Sequence, residues 1–237
     1  MNDLRPPIVY RALRRLKFEI NWSLRRFVSR SYHRNWYMAG TTWAQAKWMG
    51  FPIQQCPLDL QRYQELIHSI RPRAIVQTGV NQGGSLLFFA HMLDALEDSD
   101  EDRIVVGIDI ALTEKARELR HPRIRLLEGD SKGPDMVQRV REIVGERAPI
   151  IISLDSDHGC SHVLEELRAY APLVVAGGAL VVEDTNLNGH PVLPDFGPGP
   201  TEAIAEWKSD PLWERFAEIG SPQDPNWISF HTWFKGR

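Results

Sequence analysis

The apolar positions of the chain are most informative between residues 150 and 182. Two short runs, Ile150–Leu154 and Ala179–Val182, are almost entirely apolar and have the length of strands buried on both faces. Between them the apolar residues recur every three or four positions, as in a helix, at Val163, Leu164, Leu167 and Tyr170. A strand, a helix and a second strand in this order predict two parallel strands.

The same alternation extends over most of the chain. Further strands are predicted at Ala74–Thr78, Ile104–Ile108, Ile124–Leu127 and Ile228–Phe234. Helices are predicted at 58–70, 113–119, 136–144 and 201–208, and a further one runs from the turn at 79–85 through Leu96. Strictly alternating strands and helices predict a three-layer α/β domain with a doubly wound, mostly parallel sheet. We place this domain at residues 41–237 and a helical arm at residues 1–40.

The arm differs from the rest of the chain in its charge. Residues 1–34 contain nine arginines and lysines but only two acidic residues, Asp3 and Glu19. An apolar stripe runs through the same segment at helical spacing, at Val9, Leu13, Leu16, Ile20, Leu24 and Phe27. Such a basic amphipathic helix packs on its own domain or on a sister subunit, or it lies on an anionic membrane surface. We expect a homo-oligomer, with peripheral membrane contact as the alternative.

Composition narrows the class of protein. The chain has 237 residues, of which 43% are hydrophobic, and a formal net charge of -3, which argues against a nucleic-acid partner. Its two cysteines, Cys56 and Cys160, lie far apart in unlike contexts and indicate neither a disulfide framework nor a zinc site. No apolar run is long enough to span a membrane, and the N-terminus lacks the apolar core of a signal peptide. We therefore expect a cytoplasmic protein.

Carboxylates follow both strands of the opening unit. Asp155 and Asp157 come directly after the first strand, and Glu183 and Asp184 after the second. The carboxyl ends of parallel strands meet at one edge of the sheet, where open α/β sheets bind their ligands. Because like charges held so close repel each other, a hard divalent cation is the simplest occupant of this edge.

A glycine-rich turn follows the first predicted strand of the sheet. Its spacing, Gly79-x-x-x-Gly83-Gly84, is neither the dinucleotide fingerprint nor a P-loop, so no pyrophosphate is required. A turn of this kind lets the backbone approach a ligand, although it also occurs where a helix merely packs on a strand.

The next two strands end in polar residues that could bind a nucleoside. Asp109 could accept hydrogen bonds from ribose hydroxyls, or it could cap the following helix. Asp130 and Ser131 could meet the edge of a base. A glycine turn, an acid and an acid with a hydroxyl, at three consecutive strand ends, are typical of S-adenosylmethionine sites in Rossmann-like class I methyltransferases.

Two irregular segments could shape the acceptor side of such a site. Aromatic residues are dense before the first strand, at Trp36, Tyr37, Trp43, Trp48 and Phe51, and form either a lid or a packing strap. The proline- and glycine-rich loop 188–200 either lines the acceptor pocket or is a rigid connection.

Several motifs together resemble one known family, the cephalosporin hydroxylase/rhamnosyl O-methyltransferase family. They are QTGVNQGGS from residue 77, LDSDH from residue 154, VVEDT from residue 181 and GPGP from residue 197. The resemblance extends from about Thr41 to Phe234. It implies an O-methyltransferase that depends on S-adenosylmethionine and Mg²⁺ and acts on a sugar hydroxyl or a small natural product.

The resemblance also implies roles for individual residues. It places the metal on Asp155, Glu183 and Asp184, and the cofactor on Gly79, Gly83, Ser85, Asp109 and Asp130. Gln77 departs from the family, which usually has a glutamate there near the methionine amine, and its loss of charge would weaken cofactor binding. Whether Asp155 or Asp157 faces the metal is open; we favour Asp155, which comes first after the strand.

His158 is the histidine best placed to take the proton from the acceptor hydroxyl, with Asp155 beside it. It could instead orient a carboxylate, while His190 is a weaker candidate and His162 is expected to be structural. A metal bound to that hydroxyl would lower its pKa and fix its orientation.

Two other classes of protein remain open. A metal-dependent oxygenase would use two histidines and one carboxylate on iron, and a non-catalytic member would bind the cofactor without turnover.

Overall fold

The structure is a computed structural model that describes residues 8–39, 42–96, 102–219 and 231–237. Its helices are α1 (Ile8–Met38), α2 (Pro57–Ile70), α3 (Gly84–Asp94), α4 (Glu114–Arg117), α5 (Pro134–Val144), α6 (Cys160–Tyr170) and α7 (Pro200–Trp207). Its strands are β1 (Lys47–Trp48), β2 (Phe51–Pro52), β3 (Ala74–Thr78), β4 (Ile104–Asp109), β5 (Ile124–Glu128), β6 (Ile150–Leu154), β7 (Ala179–Val182), β8 (Phe216–Ile219) and β9 (Thr232–Gly236). Short 3₁₀ turns lie at Trp43–Gln45, Ala171–Leu173 and Pro211–Arg215.

The main sheet has the order β5-β4-β3-β6-β7-β9-β8. Strands β3 to β7 are parallel, and β9 is antiparallel to both β7 and β8. The chain runs from β3 outward to β5, then returns to β6 on the opposite side of β3. This reversal creates a crevice at the carboxyl ends of β3 and β6, where doubly wound sheets bind ligands. The predicted doubly wound, mostly parallel α/β fold is confirmed.

Both faces of the sheet are buried, which explains why its strands are continuous apolar runs. On one face Val76, Ile152 and Leu180 pack against α5, α6 and α7. On the other, Ile75 and Ile151 pack against α2 and α3. The central strands are therefore held on both sides, and the residues that follow them are fixed by the sheet.

Sequence patterns missed the shortest strands. β8 and the two-residue hairpin strands β1 and β2 were not predicted, because so few residues carry no period that differs from a loop. The last strand was predicted at Ile228–Phe234, but the described part of it is Thr232–Gly236, and residues 228–230 lie outside the described residues. The helix predicted at 113–119 is shorter, Glu114–Arg117.

The described part of the arm is one helix, α1, and its last part packs on the domain. Ser29 and His33 are buried, whereas Val9, Leu13, Leu16, Leu24 and Phe27 of the apolar stripe are exposed. These five side chains of the stripe therefore do not pack on the domain. Among the helices that the structure describes, none is long and apolar enough to cross a membrane. The boundary at residue 40 stays a prediction.

Candidate active site

A cavity of about 650 Å³ lies at the carboxyl ends of the parallel strands. Nine of the residues predicted to form the site line it: Gln77, Gly79, Ser85, Asp109, Asp130, Ser131, Asp155, His158 and Asp184. Gly83 and Glu183 are not among the described residues that line it. The strand ends thus bring most of the predicted residues together around one space.

The glycine turn after β3 crosses close to the end of β6. Gly79 has φ +78°, and a Cβ at this position would lie 1.9 Å from the carbonyl oxygen of Asp155. Only glycine fits here, because any side chain would collide with backbone. The turn therefore packs directly against Asp155. We call the carboxylates that follow β6 and β7, namely Asp155, Glu183 and Asp184, the acidic rim.

Asp109 holds this turn in place. Its Oδ2 accepts hydrogen bonds from the backbone N–H groups of Val80 and Asn81, at 2.8 and 2.9 Å. The alternative of a helix cap is wrong, since Thr113 caps α4 through its hydroxyl, which accepts from the N–H of Ala116. Asp109 shapes the turn and lines the cavity at once.

Gly83 has a packing role in the structure. It has φ +85° at the start of α3, and a Cβ there would lie 2.5 Å from Cδ1 of Leu119. Its expected contact with a cofactor is not supported by this position; its neighbours Gly84 and Ser85 line the cavity instead.

Ser131 is committed to a buried carboxylate. Its hydroxyl donates to Oε1 of Glu166 at 2.5 Å, and Ser156 donates to the same oxygen at 2.7 Å. His162 lies 3.4 Å from Glu166, and this contact raises the pKa of His162. The backbone N–H of Lys132 donates to Oδ1 of Asp130, at 3.2 Å. Sequence reasoning missed Glu166, which looks like any polar position on α6.

Three predicted residues form a compact cluster at the acidic rim. Each of Asp155, His158 and Asp184 offers one ligand atom, and these three atoms lie within 4.8 Å of one another. Nε2 of His158 is 3.2 Å from Oδ2 of Asp184. Burial, followed by the charges of Glu183 and Asp184, raises the pKa of Asp155 well above its ordinary value. A divalent cation would relieve this repulsion, so the cluster fits a hard metal.

Glu183 points into the protein behind this cluster. Its Oε1 accepts from the hydroxyls of Tyr63 and Ser153. Its Oε2 accepts from Nε2 of Gln55 at 2.5 Å, and Nε2 of His231 is 3.4 Å away. The structure therefore does not bring Glu183 into the three-residue cluster with Asp155 and Asp184.

Gln55 links Glu183 to the cluster. Its Nε2 also lies 3.3 Å from Oδ2 of Asp155, so one amide group bridges two carboxylates. The sequence carried no signal for Gln55, which lies in an irregular segment, or for Tyr63, which reads as an apolar position of α2. Both residues reach Glu183 only through tertiary folding.

Gln77 offers an acceptor to a ligand in the cavity. Its Nε2 donates to the carbonyl oxygen of Gly79 at 2.7 Å and to Oδ2 of Asp155 at 3.2 Å. Its Oε1 is buried and has no hydrogen-bond partner within the described ranges. A buried acceptor without a partner costs stability unless a donor binds there. An ammonium group such as the methionine amine of S-adenosylmethionine fits this position.

The remaining candidates lie away from the cluster. Oδ1 of Asp157 accepts from the N–H of Gly159 at 2.7 Å, which turns that carboxylate toward the start of α6. His190 pairs with Glu202 at 2.9 Å and does not line the cavity. Of the two aspartates considered for the metal, Asp155 is the one that lies beside Asp184.

The chain is similar in sequence to known proteins. The sequence profile of the family described as Rhamnosyl O-methyltransferase/CmcI matches residues 40–218, most of the chain. A rhamnosyl O-methyltransferase of Mycobacterium tuberculosis H37Rv is 35% identical over 184 residues, which is 77% of this chain and 74% of that protein.

The chain belongs to the rhamnosyl O-methyltransferase/CmcI family. This confirms the suspected resemblance and the predicted activity of an O-methyltransferase that uses S-adenosylmethionine.

Solved structures share the fold of this family member. CmcI, solved with Mg and SAM, has a TM-score of 0.59 at 19% identity, over 82% of this chain and 77% of that one. MycE, a methyltransferase solved with Mg, SAH and mycinamycin VI, has a TM-score of 0.55 at 20% identity, over 75% of this chain and 48% of that one. These likenesses confirm the class I methyltransferase fold.

The loop between β7 and α7 is anchored by Glu202. This carboxylate accepts from the N–H of Gly199 at 2.7 Å, from Asn188 at 3.1 Å and from His190 at 2.9 Å. Although burial raises it, these hydrogen bonds together lower the pKa of Glu202 to about 2. The loop beside the cavity is thus a fixed connection at this end.

Glu202→Gln should lower the free energy of unfolding at pH 7 by about 1 kcal/mol, because it weakens these hydrogen bonds. The lowered pKa means that the carboxylate stabilises the fold above pH 4.5, and that this contribution is lost as the pH falls toward 2. Urea unfolding at pH 7 and pH 3 should therefore show a difference that shrinks in acid. Glu206→Gln, an exposed change on the same helix, is the control; an equal difference at both pH values would contradict the assignment.

Proposed function

We propose that this protein transfers a methyl group from S-adenosylmethionine to a hydroxyl of a rhamnose-type sugar, with Mg²⁺ at the acidic rim. The observation that carries the proposal is the position of the Asp155, His158 and Asp184 cluster beside the cavity. The curated relatives named rhamnosyl O-methyltransferases support the sugar as acceptor. The experiment that tests it is methyl transfer to rhamnosides with and without Mg²⁺.

The cofactor half of the cavity lies at β3, β4 and β5. S-adenosylmethionine supplies the electrophilic methyl group. Gln77 would accept a hydrogen bond from its ammonium group through Oε1. Asp109 would accept ribose hydroxyls with the capacity that the turn leaves on its carboxylate, and Asp130 and Ser131 would border the base. Gly79 would let the backbone approach the ligand, and Ser85 would line the same cavity.

The metal half of the cavity lies at β6 and β7. Mg²⁺, when bound, lowers the pKa of the acceptor hydroxyl and fixes its orientation. Asp155 and Asp184 would hold it from the rim. Glu183 would join them by exchanging the amide of Gln55 for the cation, since this amide now bridges Glu183 and Asp155. The amide of Gln55 thus occupies the position between two carboxylates that would attract a cation.

His158 is the proposed proton acceptor. Its ring lies at the cavity wall, and Asp184 at 3.2 Å fixes its orientation. A carboxylate partner of this kind also stabilises the imidazolium that forms after proton transfer. The proton of the acceptor hydroxyl would pass to this ring as the methyl group is transferred.

The rival oxygenase is less consistent with this rim. Iron oxygenases of the facial-triad type use two histidines and one carboxylate. The cluster found among the described residues has two carboxylates and one histidine, and since His158 is assigned to proton transfer, the donors left for a cation are carboxylate oxygens, which suit Mg²⁺. A non-catalytic member would leave this cluster without a purpose.

The finer expectations about partners and location stay predictions. We propose that the exposed apolar stripe of α1 packs against a second copy of the chain, because burying Leu13, Leu16 and Phe27 removes apolar surface from water. Contact with an anionic membrane is the alternative, and a cytoplasmic location is expected. The size of the assembly in solution, with and without anionic vesicles, distinguishes the two.

Chelation should abolish methyl transfer while S-adenosylhomocysteine binding by calorimetry persists, and Mg²⁺ should restore transfer. Asp155→Asn and Asp184→Asn should each lower kcat by more than about 100-fold, because the metal loses a carboxylate. Both should also lose the rise in melting temperature that Mg²⁺ gives the wild type. Asp157→Asn is the matched control and should keep that rise; Glu183→Gln shows whether Glu183 is a ligand. Full activity of the wild type in chelator would remove the metal from the proposal.

His158→Ala should lower kcat by about 10²–10⁴-fold, the usual contribution of a general base. It should keep the rise in melting temperature with Mg²⁺, since two carboxylates remain at the rim. His190→Ala, a histidine outside the cavity, serves as the control. A variant as fast as the wild type would assign the proton to another group, and loss of the Mg²⁺ effect would make His158 a ligand.

A further inference from the structure

Three aromatic side chains form one wall of the cavity. We call them the aromatic wall: Trp36 and Tyr37 in the last turn of α1, and Trp43 in the 3₁₀ turn that follows. The family profile begins at residue 40, so two of the three lie outside the matched region. Neither the proposed cofactor contacts nor the acidic rim uses them.

The aromatic wall is held in one arrangement. The rings of Tyr37 and Trp43 are stacked, with centroids 5.7 Å apart and planes 12° apart. Nε1 of Trp43 donates to the carbonyl oxygen of Tyr37 at 3.0 Å. The ring of Tyr32 stacks on that of Trp36, with centroids 6.1 Å apart. A surface fixed in this way costs little entropy when a ligand binds to it.

The end of α1, which carries two of the three rings of the aromatic wall, lies beside the loop that follows β7. Nε of Arg34 donates to the carbonyl oxygen of Pro191 in the loop after β7, at 3.2 Å. The hydroxyl of Tyr32, also on α1, lies 3.5 Å from Sγ of Cys56, next to Gln55, whose amide contacts Asp155 and Glu183. Asp109 and Asp130 follow β4 and β5, at the opposite side of β3.

We propose that the aromatic wall is an acceptor subsite that binds the apolar face of a deoxyhexose ring. A pyranose presents C–H groups on one face, and these carry the partial positive charge that the face of an aromatic ring attracts. The methyl group of a 6-deoxy sugar adds apolar surface to this contact. A ring seated on the wall would share the cavity with Asp184 and His158.

This inference rests on the proposed function but concerns specificity. Two of the three side chains of the wall, Trp36 and Tyr37, belong to the arm, so the arm contributes to the choice of acceptor as well as to any assembly. A sugar without a continuous apolar face would lose this contact. The chemical class that fits is a 6-deoxyhexoside, and a fully hydroxylated hexoside fits less well.

The test compares Trp43→Ala and Trp43→Phe with the wild type, using 4-nitrophenyl α-L-rhamnopyranoside as acceptor. Trp43→Ala should raise KM by about 3- to 10-fold, the range of a lost aromatic contact, and change kcat less. Trp43→Phe should recover most of the affinity, because it keeps an aromatic face. Tyr10→Ala, an exposed aromatic change on α1 far from the cavity, should leave KM unchanged. Calorimetry with S-adenosylhomocysteine should give equal affinities in all four proteins.

The outcomes separate this inference from the proposed function. An active wild type with an unchanged KM in Trp43→Ala would overturn the subsite, as would loss of S-adenosylhomocysteine affinity, which would assign the wall to the cofactor. A wild type that transfers no methyl group but binds the rhamnoside by saturation-transfer NMR, with binding lost in Trp43→Ala, would keep the subsite and overturn the proposed reaction. Absence of both transfer and binding would overturn both.

Discussion

The constraint on which the site depends is the repulsion of carboxylates placed side by side by two parallel strands. The register pairs Leu154 of β6 with Val182 of β7, so the residues that follow them, Asp155 and Glu183, must leave the sheet together. Burial prevents water from screening their charges. Hydrogen-bond donors reduce this repulsion: the amide of Gln55 contacts both carboxylates, and the hydroxyls of Tyr63 and Ser153 donate to Glu183. A cation at the rim would neutralise the negative charge that remains.

Much of this arrangement could be predicted from the sequence, because the parallel sheet converts positions at strand ends into neighbours in space. Asp109, Asp155 and Asp184 follow from this rule alone. The rule does not reveal which way a side chain turns, so the burial of Glu183 and its bridge through Gln55 were missed. Gly83, which was predicted to contact the cofactor, packs close to Leu119 in the structure; a turn glycine and a packing glycine look alike in a sequence.

The two halves of the cavity have different origins, which explains why one was easier to predict. The cofactor half is built from the ends of β3, β4 and β5, which carry a regular pattern. The metal half, which would also bind the acceptor, combines β7 with the end of α1 and an irregular segment. No repeating pattern of apolar residues connects these parts. The sequence left a lid or a packing strap open for the aromatic residues. Trp36, Tyr37 and Trp43 line the cavity, whereas Trp48 packs on Phe88 of α3, so the segment combines a cavity wall with a packing contact.

Crystals grown with S-adenosylhomocysteine and Mn²⁺, a cation that substitutes for Mg²⁺ and scatters anomalously, would show whether the acidic rim binds a metal. We expect one anomalous peak bound by Asp155 and Asp184, beside a cofactor that contacts Gln77 and Asp109. A cavity filled by the cofactor with no peak at the rim, or with the ion bound elsewhere, would contradict it.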